Sequence, residues 1–191
     1  MTIRGSPPRT ACFTVTGMSA LFYTAVDDSP VGPLLLAGDS EALHVLAFGR
    51  PAGGRQELQI SRPREIDAAW TPDTRGVLKN VRKELDHYFA GRLQRFTTRL
   101  AFKGTAFQNA VWQELTRIPY GETISYLDLA KRIDNPKAVR AVGMANGANP
   151  IAIIVPCHRV IGSNGSLTGF GGGLPTKRAL LELEKGQRTL L

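Results

Sequence analysis

Between Thr123 and Asn146 the chain holds two short helical stretches separated only by Asp134-Asn135-Pro136. Thr123 reads as the cap of the first, Ile124 to Ile133, and the second runs from Lys137 to about Asn146. So tight a break folds the second helix back across the first, as in a helix-turn-helix. At about 100° per residue, Ala138, Val139, Val142 and Ala145 gather on one side of the second helix. Lys137, Arg140, Ala141 and Met144 fall on the other. That cationic outer face could enter a nucleic-acid groove, although helix pairs in ordinary cores share the pattern.

The charge balance leans the same way. The 191 residues carry a formal charge of +8. Residues 1–100 hold 13 basic and 10 acidic side chains, and residues 101–191 hold 11 and 6. The basic excess is denser in the second part, which fits a polyanionic partner and also a merely soluble surface. No apolar run approaches the roughly 18 residues needed to span a bilayer, and Ser6-Pro7-Pro8 stands where a signal peptide needs an apolar core. A soluble protein without membrane attachment is expected, cytoplasmic, or nuclear in a eukaryote. Two cysteines allow at most one bridge, and His44, His87 and His158 form no zinc spacing with them. We expect no metal and no cofactor.

Two textures divide the chain. Residues 1–20 read as a loose arm, and 21–100 as an α/β domain. Pro33 to Ala37 and Leu43 to Phe48 form a hairpin, and Thr71-Pro72 reads as the cap of a helix carrying Val77, Leu78, Val81, Leu85, Tyr88 and Phe89. Arg92 to Gly104 is the crossing, and 103–191 form the second domain. There Thr105 to Gln108 has the form of a capping box, ahead of Phe107, Val111, Leu115 and Ile118 on one face. Ile151 to Val155 reads as a buried strand ending at Pro156-Cys157-His158-Arg159. Val160-Ile161 and Ser166-Leu167 flank Asn164-Gly165, a tight-turn pair that makes a wing.

Cys157 followed by His158 is the arrangement with most chemical content. A nucleophilic cysteine needs its thiolate, favoured by a nearby base or positive charge. Neighbours in a strand point apart, so the pair needs a turn here or a bridging water. Glu184 lies four residues after Leu180 and three after Leu181, on the apolar face of the last helix. Either it pairs with His158, completing a relay to Cys157 through water, or it turns to solvent. Tyr126 shares a face with Leu129, Ala130 and Ile133, and its hydroxyl needs a partner. Asn149 stops a helix or braces the cysteine turn. Gly169 to Gly173 form a loop, while Cys12 reads as inert and His44 and His87 as structural. A cysteine hydrolase and a chemistry-free helix-turn-helix regulator both fit these features.

The run Ile154-Val155-Pro156-Cys157-His158-Arg159-Val160 closely resembles the active-site signature of the O6-alkylguanine-DNA alkyltransferases. Gly121 to Tyr126, Asn135 to Gly143 and Asn149-Pro150 extend the likeness in order and spacing, over about residues 103 to 191. In the first domain only Ser29 to Leu34 carries it. The resemblance implies a ribonuclease-H-like α/β domain followed by a winged helix-turn-helix, an α+β chain overall. It implies direct-reversal repair in which Cys157 takes an alkyl group from guanine O6, with thymine O4 as a further donor, and is consumed in one turnover. It makes His158 the water-assisted base, Glu184 its partner and Asn149 a brace. It has Tyr126 crowd a phosphate and protonate the leaving base, and Arg140 fill the vacated stack from the minor groove. Lys137, Ala141 and Ser125 join the DNA face, and Val155, Pro156, Val160, Gly169, Phe170, Gly171 and Gly172 line the pocket. The partner is double-stranded DNA bearing O6-alkylguanine, met by a monomer, with cooperative assembly on DNA left open. The alternative within the family is a lesion-binding protein without chemistry, a form that lacks the cysteine. Ala152 and Phe170 depart from the proline and tyrosine of some relatives, which bears on pocket size.

Overall fold

The computed structural model describes residues 21–51, 58–60 and 70–188, so the expected arm and Cys12 lie outside it. A continuous apolar run, Leu34 to Ala37, buried at every position, forms the middle of the first sheet. Strands β1 (Phe22–Val26), β2 (Leu34–Gly38) and β3 (Leu43–Pro51) run antiparallel, with Leu34 opposite Phe48 and Leu36 opposite Leu46. With β4 (Leu58–Ile60) and β5 (Thr71–Pro72), the order is β4-β3-β2-β1-β5. The hairpin stands as expected. Thr71-Pro72 does not cap a helix but pairs in parallel with Phe22 and Tyr23. The N-cap is Leu78, with no side-chain cap; ahead of it the Asp73 carboxylate accepts from the amides of Val77 and Leu78 at 2.9 and 2.8 Å and fixes the turn that leads into the helix. Helix α1 (Lys79–Phe89) then buries Val81, Leu85 and Tyr88.

In the second domain Thr105 closes a complete capping box with Gln108 at the start of α2 (Ala106–Leu115). Thr123 is not the next cap. Ile124–Ser125 form a short strand, β6, and Ser125 caps α3 (Tyr126–Arg132) through a reciprocal box with Asp128. Helix α4 (Val139–Gly147) crosses behind it with Val142 and Ala145 buried and Arg140, Ala141 and Met144 exposed, as the helical spacing requires; it starts two residues later than expected, so Lys137 is exposed in the turn before it. The Trp112 indole donates to the Ala145 carbonyl at 2.9 Å and ties α2 to α4.

Two expectations beyond α4 are corrected. Ile151 to Val155 is buried but is not a strand, because only Ile151 pairs, with Leu46 of β3. The chain then coils: the Val155 amide donates to the Ile151 carbonyl at 3.0 Å, and Ile153 takes φ +70°. A β-branched residue there is strained. A run buried on every side has the same apolar pattern whether extended or turned, so spacing could not separate the two. The Asn164-Gly165 turn also forms, with the Gly162 amide donating to the Ser166 carbonyl at 2.8 Å. Its flanks are not a strand pair: Val160–Ile161 (β7) pairs in parallel with β6, and Ser166-Leu167 is irregular. Helix α5 (Gly173–Arg188) closes the domain. One apolar cluster runs from Leu36 and Leu85 through Leu115 and Val142 to Leu180, so the two domains share a core.

Candidate active site

Cys157 opens a 3-10 turn, Cys157–Arg159, which solves the problem of neighbouring side chains pointing apart. Asn149 shapes the approach to it. Its amide nitrogen donates to the Val155 carbonyl at 2.8 Å and its amide oxygen accepts from the Ile151 amide at 3.0 Å, clipping the coiled segment. Asn146 of α4 donates to the Cys157 carbonyl at 3.4 Å. Cys157 is 5% exposed. Burial pushes its thiol pKa up, and the Asn149 side chain and the Lys177 charge pull it back.

His158 and Glu184 are both fully buried, and His158 Nε2 lies 2.9 Å from Glu184 Oε1. The paired alternative is the observed one; Glu184 does not turn to solvent. Burial raises the Glu184 carboxyl, but hydrogen bonds from His158 and Arg159 outweigh it and bring the pKa from 4.5 to about 2. An ionised carboxylate only accepts, so Nε2 carries the proton and Nδ1 keeps the lone pair. Nδ1 is buried without a protein partner among the described residues. Burial holds the imidazole below its ordinary pKa against the pull of Glu184, so the ring rests neutral.

The same carboxylate gathers donors that the sequence did not announce. Arg159 Nε reaches Oε2 and its NH2 reaches Oε1, each at 2.9 Å, while its NH1 donates to the Ile118 carbonyl at 2.6 Å. The Gly121 amide donates to Oε2 at 3.1 Å, and the Tyr88 hydroxyl to Oε1 at 2.7 Å. Lys177 is a second surprise. Fully buried in α5, it donates to the Val160 and Thr168 carbonyls at 2.7 and 3.2 Å. Burial lowers its pKa and the Cys157 charge opposes that. One signal could have found it: Lys177, Leu180, Leu181 and Glu184 follow helical spacing on one apolar face.

The other expected residues surround this centre. Val155, Pro156 and Val160 are buried about the turn, and the loop of Gly169, Phe170, Gly171 and Gly172 runs past it. Phe170 meets the His158 ring edge-on at 6.4 Å and Phe48 of β3 at 5.3 Å. Tyr126 is half-buried at the start of α3, and its hydroxyl accepts from Thr168 Oγ1 at 3.1 Å. Ser125 is spent on its capping box, while Arg140 and Ala141 stand on the exposed face of α4 and Lys137 is exposed in the turn before it. Asp39 takes up His44 at 3.0 Å, outside this constellation. No helix among the described residues is long and apolar enough to cross a membrane.

Comparisons with known proteins agree with this anatomy. Two family models match: the ribonuclease-like domain of 6-O-methylguanine DNA methyltransferase over residues 21–102, and its DNA-binding domain over residues 106–186. A methylated-DNA–protein-cysteine methyltransferase of Methanosarcina acetivorans is 49% identical over 162 residues, 85% of this chain and 97% of that relative. One from Mycobacterium bovis is 52% identical over 160 residues, 84% of this chain and 90% of that relative. Among solved structures, Mycobacterium tuberculosis O6-methylguanine methyltransferase gives a TM-score of 0.74 at 50% identity, over 87% of this chain and 94% of that one. The Mycobacterium tuberculosis OGT in complex with DNA gives 0.74 at 49% identity, with the same coverage.

Proposed function

The chain belongs to the 6-O-methylguanine DNA methyltransferase family, and from that premise we propose how its residues carry out direct-reversal repair of alkylated DNA. The observation that carries the reading is a buried cysteine, on a tight turn, beside a neutral histidine backed by an ionised glutamate. Cys157 rests as a thiol and gives its proton through a water to His158 Nδ1. Glu184 supports the imidazolium that results, and Lys177 supports the thiolate. Sulfur then attacks the alkyl carbon on guanine O6. The new S–C bond forms as the C–O6 bond breaks, its electron pair stays on the guanine, and the base takes a proton from Tyr126, which regains one from solvent as His158 releases to solvent the proton it took from Cys157. A thioether has no ready hydrolysis route, so each molecule acts once. Thymine O4 presents the same chemistry.

An alkyl carbon stacked inside a duplex cannot be reached in line by sulfur, so the nucleotide must turn out of the helix at a cost of a few kcal/mol. The exposed face of α4 is suited to that step. Lys137 neutralises phosphate, Ala141 permits close approach in the minor groove, and Arg140 fills the vacated stack. Ser125 and Tyr126, at the start of α3, meet the backbone beside it. The pocket that receives the base is lined by Val155, Pro156, Val160, Gly169, Phe170, Gly171 and Gly172, and Asn149 braces the turn beneath. The protein acts as a monomer on double-stranded DNA bearing O6-alkylguanine, without a cofactor, in the cytoplasm or in the nucleus of a eukaryote.

The test is mass spectrometry of the protein mixed with a duplex containing one O6-methylguanine. The expected result is one methyl group on Cys157 in stoichiometric yield, with no turnover, and none on Cys157→Ser. A wild-type protein that binds the lesion and stays unmodified would instead be a recognition module. In the same assay Arg140→Ala should slow duplex repair far more than reaction with free O6-alkylguanine. Equal losses on both substrates would remove the stack-filling role.

A further inference from the structure

Tyr88 belongs to the domain in which the sequence offers no chemistry, yet its hydroxyl reaches the carboxylate behind His158. The hydrogen bond to Glu184 Oε1 is 2.7 Å long, joins residues 96 apart, and has both side chains fully buried. Filling the core does not require the hydroxyl, since phenylalanine has nearly the same shape. The ring is held by Phe89, Phe96 and Tyr120, with centroids at 5.4, 5.3 and 6.0 Å, so the direction of the O–H is set by packing.

The donors to Glu184 differ in what they are anchored to. Arg159 grips both oxygens and is itself held by the Ile118 carbonyl, but its backbone belongs to the same three-residue turn as His158, the ring that the carboxylate must orient. Tyr88 from α1 and the Gly121 amide tie the carboxylate to parts of the molecule outside that turn. Tyr120 also feels the charge of the carboxylate, while Lys177 acts on His158 and Cys157. We infer that Tyr88 is a positioning residue for the cysteine chemistry: through one hydroxyl, the first domain fixes the carboxylate that orients His158. This rests on the relay proposed above.

The experiment is alkylation of Cys157 by iodoacetamide across pH, with no DNA present, read by peptide mass spectrometry so that Cys12 is counted separately. Tyr88→Phe keeps the ring and removes the donor. At neutral pH it should slow alkylation about tenfold, the scale of one hydrogen bond to a charged group. Its midpoint should move to higher pH, in the direction of Glu184→Gln and less far. In the Glu184→Gln background, Tyr88→Phe should add no further shift. If Glu184→Gln moves the profile and Tyr88→Phe does not, the relay stands and the inference falls. Additive shifts, or a lowered Tm with an unmoved midpoint, would also overturn it by marking a packing role. If Glu184→Gln itself leaves the profile unmoved, the relay reading fails and takes the inference with it.

Discussion

The second domain displays its chemistry, and the first displays only a core. Cys157, His158 and Glu184 stand out at sequence level because reactive or charged residues occupy places where apolar ones belong. Residues 21–100 read as sheet and helix and nothing more. In the folded protein that division blurs. Strand β3 lends its Leu46 backbone to the segment before the cysteine, with Leu46 N–H donating to Pro150 and Ala152 N–H donating to Leu46, each at 2.9 Å. The same strand puts Phe48 against the glycine loop, and α1 puts Tyr88 on Glu184. A domain without chemistry of its own is thus part of the frame that holds the chemistry.

The strongest way to break the comparison is to remove the point where the halves meet. Glu184→Ala strands the Tyr88 hydroxyl, the Gly121 amide and the His158 ring, and leaves Arg159 buried without its partner. Losing one member of such a pair costs about 3–5 kcal/mol. Because the Tyr88 contact crosses between domains, a single unfolding transition shifted to lower urea is expected. Two separated transitions would show that the domains stand independently. The acid limb supplies the sign. The Glu184 carboxyl is depressed from 4.5 to about 2, so its stabilisation is complete above about pH 4.5 and is lost as pH falls through about 2. Wild type should weaken across that window, and Glu184→Ala should show a flatter profile.

Lys177 sharpens the comparison from within the second domain. Lys177→Met keeps an unbranched chain in the buried site and removes the ammonium whose charge pulls the Cys157 pKa down. A cation favours the thiolate, so its loss should raise the Cys157 midpoint and slow iodoacetamide alkylation at neutral pH by about tenfold. An unmoved midpoint would assign Lys177 to holding the Val160 and Thr168 carbonyls alone. Stability loss should be smaller than for Glu184→Ala, because no opposite charge is left behind.

What the sequence could convey depended on whether a residue broke a pattern. Glu184 breaks the apolar face of α5 and was legible, and the Thr105 capping box and the exposed face of α4 followed from spacing. Tyr88 breaks nothing, since a tyrosine on an apolar face is ordinary and its partner lies 96 residues away. Arg159 was hidden in the signature itself, where a strand ending was expected and a 3-10 turn forms. Ile151 to Val155 misled for a related reason: burial on all sides erases the period that tells strand from turn. Thr123 and Thr71 both carry cap chemistry, but Thr71 lies in a short strand, and the caps fall further on, at Ser125 for α3 and, with no side-chain bond, at Leu78 for α1.

Phe48 gives the smallest effect and the finest distinction. Its ring meets Phe170 at a 63° interplanar angle, and a Cβ on Gly172 would come within 2.9 Å of it, so loop backbone and ring are in close contact. Phe48→Leu keeps an apolar side chain in β3 and gives up the aromatic pair, for about 1–2 kcal/mol of stability. The loop from Gly169 to Gly172 loses its support from below, so transfer from duplex DNA should slow a few-fold. The pH midpoint of Cys157 should stay where it is, because the hydrogen bonds of Glu184 with His158 and Arg159 and of Lys177 with Val160 are kept. Tyr88→Phe should do the opposite, moving the midpoint at little structural cost. If both first-domain variants moved rate and midpoint together, the first domain would act on the site as one undivided support. Separate signatures would mean that β3 shapes the pocket while α1 sets the relay.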